Sequence, residues 1–164
     1  TPHITQTELQ SLLNVPFGKN IFDLNLVEIK KQLRKHPWLL DANITRIFPD
    51  RVNIEVIEKK PVAVLSLGDL FFLDADGRQI AKIGSSDDVD FPVLSGFSKS
   101  QVEERKPILT AVDIIHLYKK NEFLQQWPLS EVHWQKQNGF VIFTKYHTFE
   151  IRLGQTGFYE KISR

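Results

Sequence analysis

Residues 37–63 read PWLLDANITRIFPDRVNIEVIEKKPVA, a stretch in which turn residues separate two extended runs. Pro37 ends the helix before it, because its ring removes a backbone donor and crowds the preceding residue. Pro49 and the aspartate after it supply a turn, since the ring presets φ. In the second run apolar and polar residues alternate, which gives a strand one buried and one solvated face. The stretch therefore predicts two paired strands, at about 41–48 and 52–59.

Two short helices are predicted upstream of these strands. Thr5 is followed three residues later by Glu8, which is the capping-box pattern of a helix start. Asn25 and Glu28 repeat the pattern ahead of a second amphipathic segment. The order helix, helix, strand, strand describes a small α+β unit of about 60 residues.

From Val62 onward the sequence changes to short strands separated by turn residues. The polar, acidic interval 84–90 is predicted to be a mobile surface loop. Pro107 suits the first turn of an amphipathic helix that should run to about Gln125. The Asn-Gly pair at 138–139 is a strong hairpin signal. The predicted strands are 62–67, 70–74, 79–83, 91–94, 130–136, 139–145 and 148–153, and a last helix should begin near Phe158.

Composition excludes several classes of protein. The 164 residues, 41% of them apolar, suffice for one domain or two small ones. Basic and acidic residues number 21 and 20, without the basic excess typical of nucleic-acid binding. The absence of cysteine excludes disulfides and thiolate chemistry. No apolar run is long enough to span a membrane. Since methionine is also absent, we interpret the chain as a piece of a longer protein.

The candidate metal sites have simpler interpretations. Asp74 and Asp76 could open a calcium loop, but its sixth and twelfth positions hold Gln79 and Ser85 instead of the required Gly and Glu. A hairpin turn explains the two aspartates better. The five histidines lack the spacing of a zinc pair. Acidic residues within 84–90 could bind a cation or a basic partner, although a solvated loop is the simpler interpretation. We expect neither a metal nor a cofactor.

No local motif indicates catalysis. The chain has no glycine-rich phosphate loop and no nucleophile elbow, so we expect no enzymatic activity. One alternative is a carboxylate-based hydrolase or a lectin-like cell-wall binder that would use Asp74, Asp76, Trp127 and Trp134. Strand and turn roles explain these four residues more simply. The remaining signal is the many short strands, whose exposed edges invite a partner strand.

Seven short motifs together carry a family resemblance. They are NIFDL at 20–24, PW at 37–38, ITRIFP at 44–49 with the strand at 52–56, EKKPVA at 58–63, FLDADG at 72–77, FPVLSG at 91–96 and IRLG at 151–154. In this order and spacing they resemble the extracytoplasmic region of the bacterial cell-division family FtsQ, called DivIB in Gram-positive bacteria. The resemblance covers nearly all of the chain.

The resemblance implies an α+β fold with two domains. Residues 1–62 would be a POTRA (polypeptide-transport-associated) domain, with its first strand expected largely before Thr1. Residues 63–164 would be a β-rich antiparallel domain with one amphipathic helix, and its final strand is expected after Arg164. A single membrane helix is expected upstream. That helix would anchor the protein in the cell inner membrane, with this region in the periplasm or on the extracellular side.

The resemblance also implies a function without catalysis. The family is a scaffold of the division machinery that links early and late division proteins. Its expected partners are small coiled-coil division proteins, FtsB- and FtsL-like, which dock largely by strand addition. The implied partner-binding residues are Leu26, Ile44 and Arg46 in the POTRA domain and Phe149, Ile151 and Leu153 in the β domain. No nucleic-acid partner is expected. A POTRA module that handles substrates in an outer-membrane translocation system is the alternative.

Overall fold

The computed structural model describes residues 3–13, 18, 20–85, 87, 89–146 and 149–163. It confirms the predicted α+β class, with a few helices and mostly antiparallel strands. The chain divides into two compact units, residues 1–59 and 60–164.

The first unit contains both predicted helices and both predicted strands. Its elements are α1 (Gln6–Leu12), a 3-10 turn (Ile21–Asp23), α2 (Leu26–Leu33), β1 (Leu39–Ile47) and β2 (Arg51–Glu58). At the start of α1 the Thr5 hydroxyl accepts from the Glu8 amide, and the Glu8 carboxylate accepts from the Thr5 amide at 2.8 Å. The Asn25 side chain accepts from two amides at the start of α2. Both cap predictions are confirmed.

The strands of the first unit form an antiparallel pair. Ile44 of β1 lies opposite Ile54 of β2. The small core of the unit includes Leu33 of α2 and Ala42 of β1, both fully buried. Because α2 contacts β1, the helix and this strand together shape one side of the unit.

The second unit is built on a seven-stranded sheet in the order β5-β4-β3-β6-β7-β8-β9. Its strands are β3 (Pro61–Leu67), β4 (Asp69–Asp74), β5 (Gln79–Lys82), β6 (Val93–Ser95), β7 (Leu129–Gln135), β8 (Gly139–Thr144) and β9 (Glu150–Gly154). Its helices are α3 (Lys99–Glu104), α4 (Lys106–Lys120) and α5 (Phe158–Ile162). Every neighbouring pair is antiparallel except that β6 runs parallel to both β3 and β7.

The core of the second unit lies where α4 packs on the sheet. Ile108 and Ile115 of α4 are completely buried together with Leu65 of β3 and Val132 of β7. Pro107 stands in the first turn of α4, where its missing N–H leaves no bond unmade. The amphipathic helix predicted from this proline is therefore confirmed, apart from its end.

One helix of this unit was predicted with the wrong end, and another was not predicted. The helix predicted to reach Gln125 ends at Lys120, because Asn121 takes an extended backbone and its side chain accepts from the amides that follow. Helix α3 was not predicted, although Ser98 and Gln101 form a capping box at its start. Within the predicted loop at 84–90, positions 86 and 88 lie outside the described residues. The first residue of the strand predicted at 148–153 lies outside them as well.

Candidate functional site

The second unit presents an exposed sheet edge at β9. Within the described residues β9 is the last strand of the sheet and pairs with β8 alone. An edge strand offers backbone N–H and C=O groups to which a further strand can bond. At its end, Lys161 of α5 donates to the carbonyls of Leu153 at 2.6 Å and Thr156 at 2.8 Å. The Leu153 carbonyl is therefore already engaged within the chain.

An apolar groove of about 220 Å³ lies beside this edge. Its lining combines the end of α4, the following 3-10 turn at Leu124–Gln126, the last residue of β8, and β9 with the residue before it. The lining residues are Tyr118, Phe123, Leu124, Trp127, Thr144, Phe149 and Ile151. Because the groove and the strand edge adjoin, one ligand could use both, the edge through backbone bonds and the groove through side chains.

Local hydrogen bonds fix the wall of this groove. The Asn121 side chain accepts from the amides of Phe123 at 3.0 Å and Leu124 at 3.2 Å, which sets the turn after α4. The Tyr118 hydroxyl donates to the Trp127 carbonyl at 2.5 Å. Burial raises the pKa of Tyr118, so the phenol keeps the proton that it donates. The rings of Phe123 and Trp127 meet edge to face at 5.0 Å.

The three predicted residues of β9 and its flank differ in how far their side chains are exposed. Phe149 is 52% exposed and Ile151 is 37% exposed, and both line the groove. Leu153 is only 1% exposed and belongs to the core under α4. Its side chain therefore stabilises the fold, and any contact that Leu153 makes with a partner is confined to its backbone.

The opposite wall of the groove was missed by the sequence analysis. Tyr118 and Phe123 lie within the helix that was predicted to reach Gln125, and Trp127 was named only for the sugar-binding alternative. The available signal was Asn121, a residue that favours helix ends and whose side chain caps a following turn. Placing the helix end there would have exposed Phe123 on the turn.

A second groove, of about 430 Å³, lies between α2 and β1 in the first unit. The predicted residues Leu26 and Ile44 both line it and are half-buried. Three cations line the same groove, Lys30 and Lys31 of α2 and Arg34 immediately after it. The structure thus brings two of the three predicted POTRA residues together and adds a basic rim that the sequence analysis did not assign to a site.

The third predicted residue of this unit, Arg46, holds the backbone of its own chain. Its Nε donates to the Ile21 carbonyl at 2.8 Å, and a terminal nitrogen donates to the Leu24 carbonyl at 2.6 Å. The two carbonyls belong to the 3-10 turn and the residue that follows it, ahead of α2. Arg46 therefore positions the segment that leads into α2.

Comparison with known proteins shows which proteins this chain is similar to. The family model for the POTRA domain, FtsQ-type, matches residues 1–59. Proteins named cell division protein FtsQ align with 98% of the chain, at 28% identity in Geobacter sp. (strain M21) and Geotalea daltonii and at 27% in Syntrophotalea carbinolica. Residues 1–59 thus match the FtsQ-type POTRA family, and nearly the whole chain is similar to proteins named FtsQ. The chain spans 61%, 60% and 59% of the lengths of these relatives.

The relatives match both units of the chain. Since FtsQ proteins align beyond the POTRA unit and through the seven-stranded sheet, the comparison favours the FtsQ family over the outer-membrane translocation alternative. In the part of the chain that the structure describes, no helix has the length and hydropathy to cross a membrane.

One cluster in this chain resembles catalytic machinery. The Ser95 hydroxyl of β6 donates to the Glu131 carboxylate of β7 and lies 2.6 Å from Nδ1 of His133. A serine hydrolase needs the imidazole between the hydroxyl and the carboxylate. Here the hydroxyl itself lies between the other two groups, and Glu131 is 3.5 Å from the same Nδ1. The arrangement links the parallel strands β6 and β7, and the order of its three groups differs from that of a catalytic triad.

The residues of the sugar-binding alternative are dispersed by the fold. Asp74 closes the turn after β4, because its Oδ1 accepts from the amides of Asp76 at 3.0 Å and Arg78 at 2.8 Å. Trp134 lies on β7, which two strands separate from β4, and its ring packs on Phe140 at 4.7 Å. The turn predicted at 74–77 is confirmed. No three histidine or acidic side chains of the described residues form a potential metal site.

Proposed function

We propose that this chain acts in bacterial cell division as a scaffold that links early and late division proteins through protein contacts, without catalysis. The relatives carry the cell-division name over nearly the whole chain. The single structural observation that supports docking is the apolar groove beside the exposed edge of β9. Together, the groove and the strand edge could bind an extended segment of another protein.

Strand addition explains why an edge and a groove are useful in combination. A segment that pairs with β9 gains main-chain hydrogen bonds, which are insensitive to sequence. Every second side chain of that segment would face the groove side, where Phe149 and Ile151 present apolar surface. The backbone supplies affinity and the groove supplies selection for apolar residues.

The partners we propose are FtsB- and FtsL-like coiled-coil division proteins. A coiled-coil protein that ends in an extended apolar segment would satisfy both the strand edge and the groove. We also propose a single helix in the cell inner membrane upstream of this chain, with the present region in the periplasm or on the extracellular side. The POTRA domain, at about 1–62, would recruit further division proteins through Leu26 and Ile44, and the β domain would occupy 63–164.

The test is the binding of FtsB- and FtsL-like extracytoplasmic segments to the intact chain and to Ile151→Glu. Ile151 is partly exposed, so the substitution should fold, yet it places a charge in a groove lined by aromatic rings. We expect binding to weaken by at least about tenfold, since the buried charge would cost more than about 1.4 kcal/mol. Calorimetry gives the affinity, and NMR shift changes should cluster on β9 and the groove.

A matched control is Leu70→Glu, which places the same charge on β4 of the same sheet, at a residue 44% exposed. Leu70→Glu should bind the segments as the natural chain does. If neither segment binds the natural chain at tens of micromolar, or if both variants lose binding equally, docking on β9 is wrong.

A further inference from the structure

The groove between α2 and β1 has a row of cations along one wall. Leu26, Lys30 and Arg34 follow one another at intervals of four residues, so they lie on one side of α2 and its C-terminal end. Lys31 lies on the adjacent row, four residues after Val27. The wall therefore begins with apolar side chains and becomes basic toward the end of α2.

The chain neutralises these cations only in part. Lys30 forms an ion pair with Asp41 at 2.8 Å, and this pair lowers the pKa of the Asp41 carboxyl. Among the residues that the structure describes, Lys31 pairs with Glu28 alone, at 3.9 Å, and both side chains are at least half exposed. Arg34 forms no ion pair with any carboxylate in the described ranges. The Arg34 charge helps to lower the pKa of Asp41 without forming an ion pair, so within this part of the chain Lys31 and Arg34 are the two cations of the groove that lack a close carboxylate partner.

The floor and the far side of the groove suit a peptide backbone. Ala42 is fully buried and Ile44 is half-buried on the floor, so these two residues give the groove an apolar base. Among the described residues, β1 pairs with β2 on one side and has no second strand neighbour. A groove of about 430 Å³ along such an edge can hold several residues of an extended chain.

We propose that the α2–β1 groove selects an extended segment in which acidic side chains alternate with apolar ones. The apolar side chains would contact Leu26 and Ile44, and the carboxylates would pair with Lys31 and Arg34. We infer an acidic ligand from charge complementarity, because the charged residues that line the groove, Lys30, Lys31 and Arg34, are all positive. This inference rests on the proposed function, since it assigns a chemistry to a partner of the first unit, but it uses a different surface from β9.

The probe is a synthetic peptide of about eight residues, close to the length of a strand, that alternates Val and Glu. The reference peptide has Gln in place of every Glu. With the intact chain, we expect the Glu peptide to bind at least about tenfold more tightly than the Gln peptide. Its binding should weaken as salt is added, because salt screens exposed charges. Hydrogen exchange should slow at the amides of 42–46 when the Glu peptide is bound.

The variant is Lys31→Glu with Arg34→Glu, at two exposed positions where a change of charge should leave the fold intact. We expect it to lose at least about tenfold in affinity for the Glu peptide. The matched control is Lys120→Glu with Lys136→Glu, two exposed cations of the second unit, which should bind the peptide unchanged. Ile151→Glu should also bind it unchanged, so a failure of docking on β9 and a failure of this inference can be told apart.

Three outcomes would overturn the inference. The first is equal binding of the Glu and Gln peptides, or no binding of either at about 1 mM. The second is an equal loss in the groove variant and in the control variant, which would indicate attraction by net charge alone. The third is that vesicles of anionic lipid compete fully with the peptide and lose affinity for the groove variant, in which case the basic rim contacts a membrane surface.

Discussion

The guanidinium of Arg46 holds two backbone carbonyls at once, those of Ile21 and Leu24. A planar fork of donors can serve two acceptors, whereas the single ammonium of lysine cannot reproduce that geometry. We therefore expect Arg46→Lys to lower the free energy of unfolding by about 1 kcal/mol, the usual value of a hydrogen bond. Urea denaturation measures the loss, and hydrogen exchange should quicken at the amides of 21–24.

The control for this prediction is Arg51→Lys, a neighbouring arginine whose side chain is 82% exposed and lies 3.8 Å from its nearest carboxylate. That substitution should change stability by less than about 0.5 kcal/mol. If Arg46→Lys is as harmless as Arg51→Lys, then Arg46 contributes only its charge. The residue would then be available to a partner in the way that the family resemblance implied.

Among the structural elements, two hairpins use glycine in different ways. Gly139 begins β8 with φ of +78°, and a Cβ there would overlap the Gly154 carbonyl of β9. Gly68 joins β3 to β4 with φ of +88°, and a Cβ there would meet nothing within 4 Å. Gly68→Ala should cost about 1 kcal/mol, the penalty of the left-handed backbone alone. Gly139→Ala should cost more than about 2 kcal/mol, because β9 must also move.

Urea denaturation of both variants tests this difference, and the natural chain provides the reference. Because Gly139 contacts β9, hydrogen exchange should quicken along β8 and β9 in Gly139→Ala. The same strands should stay protected in Gly68→Ala. Equal losses of stability would mean that β9 is displaced at no cost, and the edge that we propose for docking would then be loosely held.

The sequence predicted elements where local chemistry determines them. Caps such as Thr5 and Asn25, turns such as Asp74–Gly77 and the first turn of α4 at Pro107 depend on neighbouring residues, and each was found. The parallel placement of β6 between β3 and β7 was not predicted, because pairing between distant strands leaves no local pattern. The α+β class was therefore predictable, and the order of the sheet was not.

For the candidate site too, the sequence indicated residues within one strand but not the contacts between distant segments. Phe149, Ile151 and Leu153 were named together from the family resemblance, yet only the first two are exposed. Strict alternation would place all three on one face. The three do share the face toward α4, but only Leu153 belongs to the core cluster there, whereas Phe149 and Ile151 line the groove next to it. The groove also needed Phe123 and Trp127 from another part of the chain, which no local motif connects to β9.

At the scale of the whole molecule, three exposed carboxyl groups, distributed over both units, have lowered pKa values in the folded chain. The hydrogen bond from Lys30 lowers the pKa of Asp41, and the hydrogen bond from Lys145 lowers the pKa of Asp90. The backbone amide of Thr5 lowers the pKa of Glu8 in the capping box. All three carboxyls are solvent-exposed, so each contributes only a little to stability. Together they make that stability depend on pH.

The direction of this dependence follows from linkage. A carboxyl with a lowered pKa in the folded chain stays ionised there while the unfolded chain begins to take up protons near pH 4. The stabilisation is therefore complete above that pH, and it is lost as the pH falls through the lowered folded values. We expect the melting temperature to be flat from pH 7 to about pH 5 and to fall below about pH 4.

Removing the three charges should flatten this acid limb. The variant with Glu8→Gln, Asp41→Asn and Asp90→Asn keeps similar hydrogen-bonding groups but cannot titrate, so its melting temperature should approach that of the natural chain as the pH falls below about 4. Replacing the donors instead, by Lys30→Met and Lys145→Met, should flatten the limb in the same direction, because Asp41 and Asp90 would lose the bonds that lower their pKa. Parallel melting curves for the natural chain and both variants would show that these pairs do not determine the acid stability of either unit.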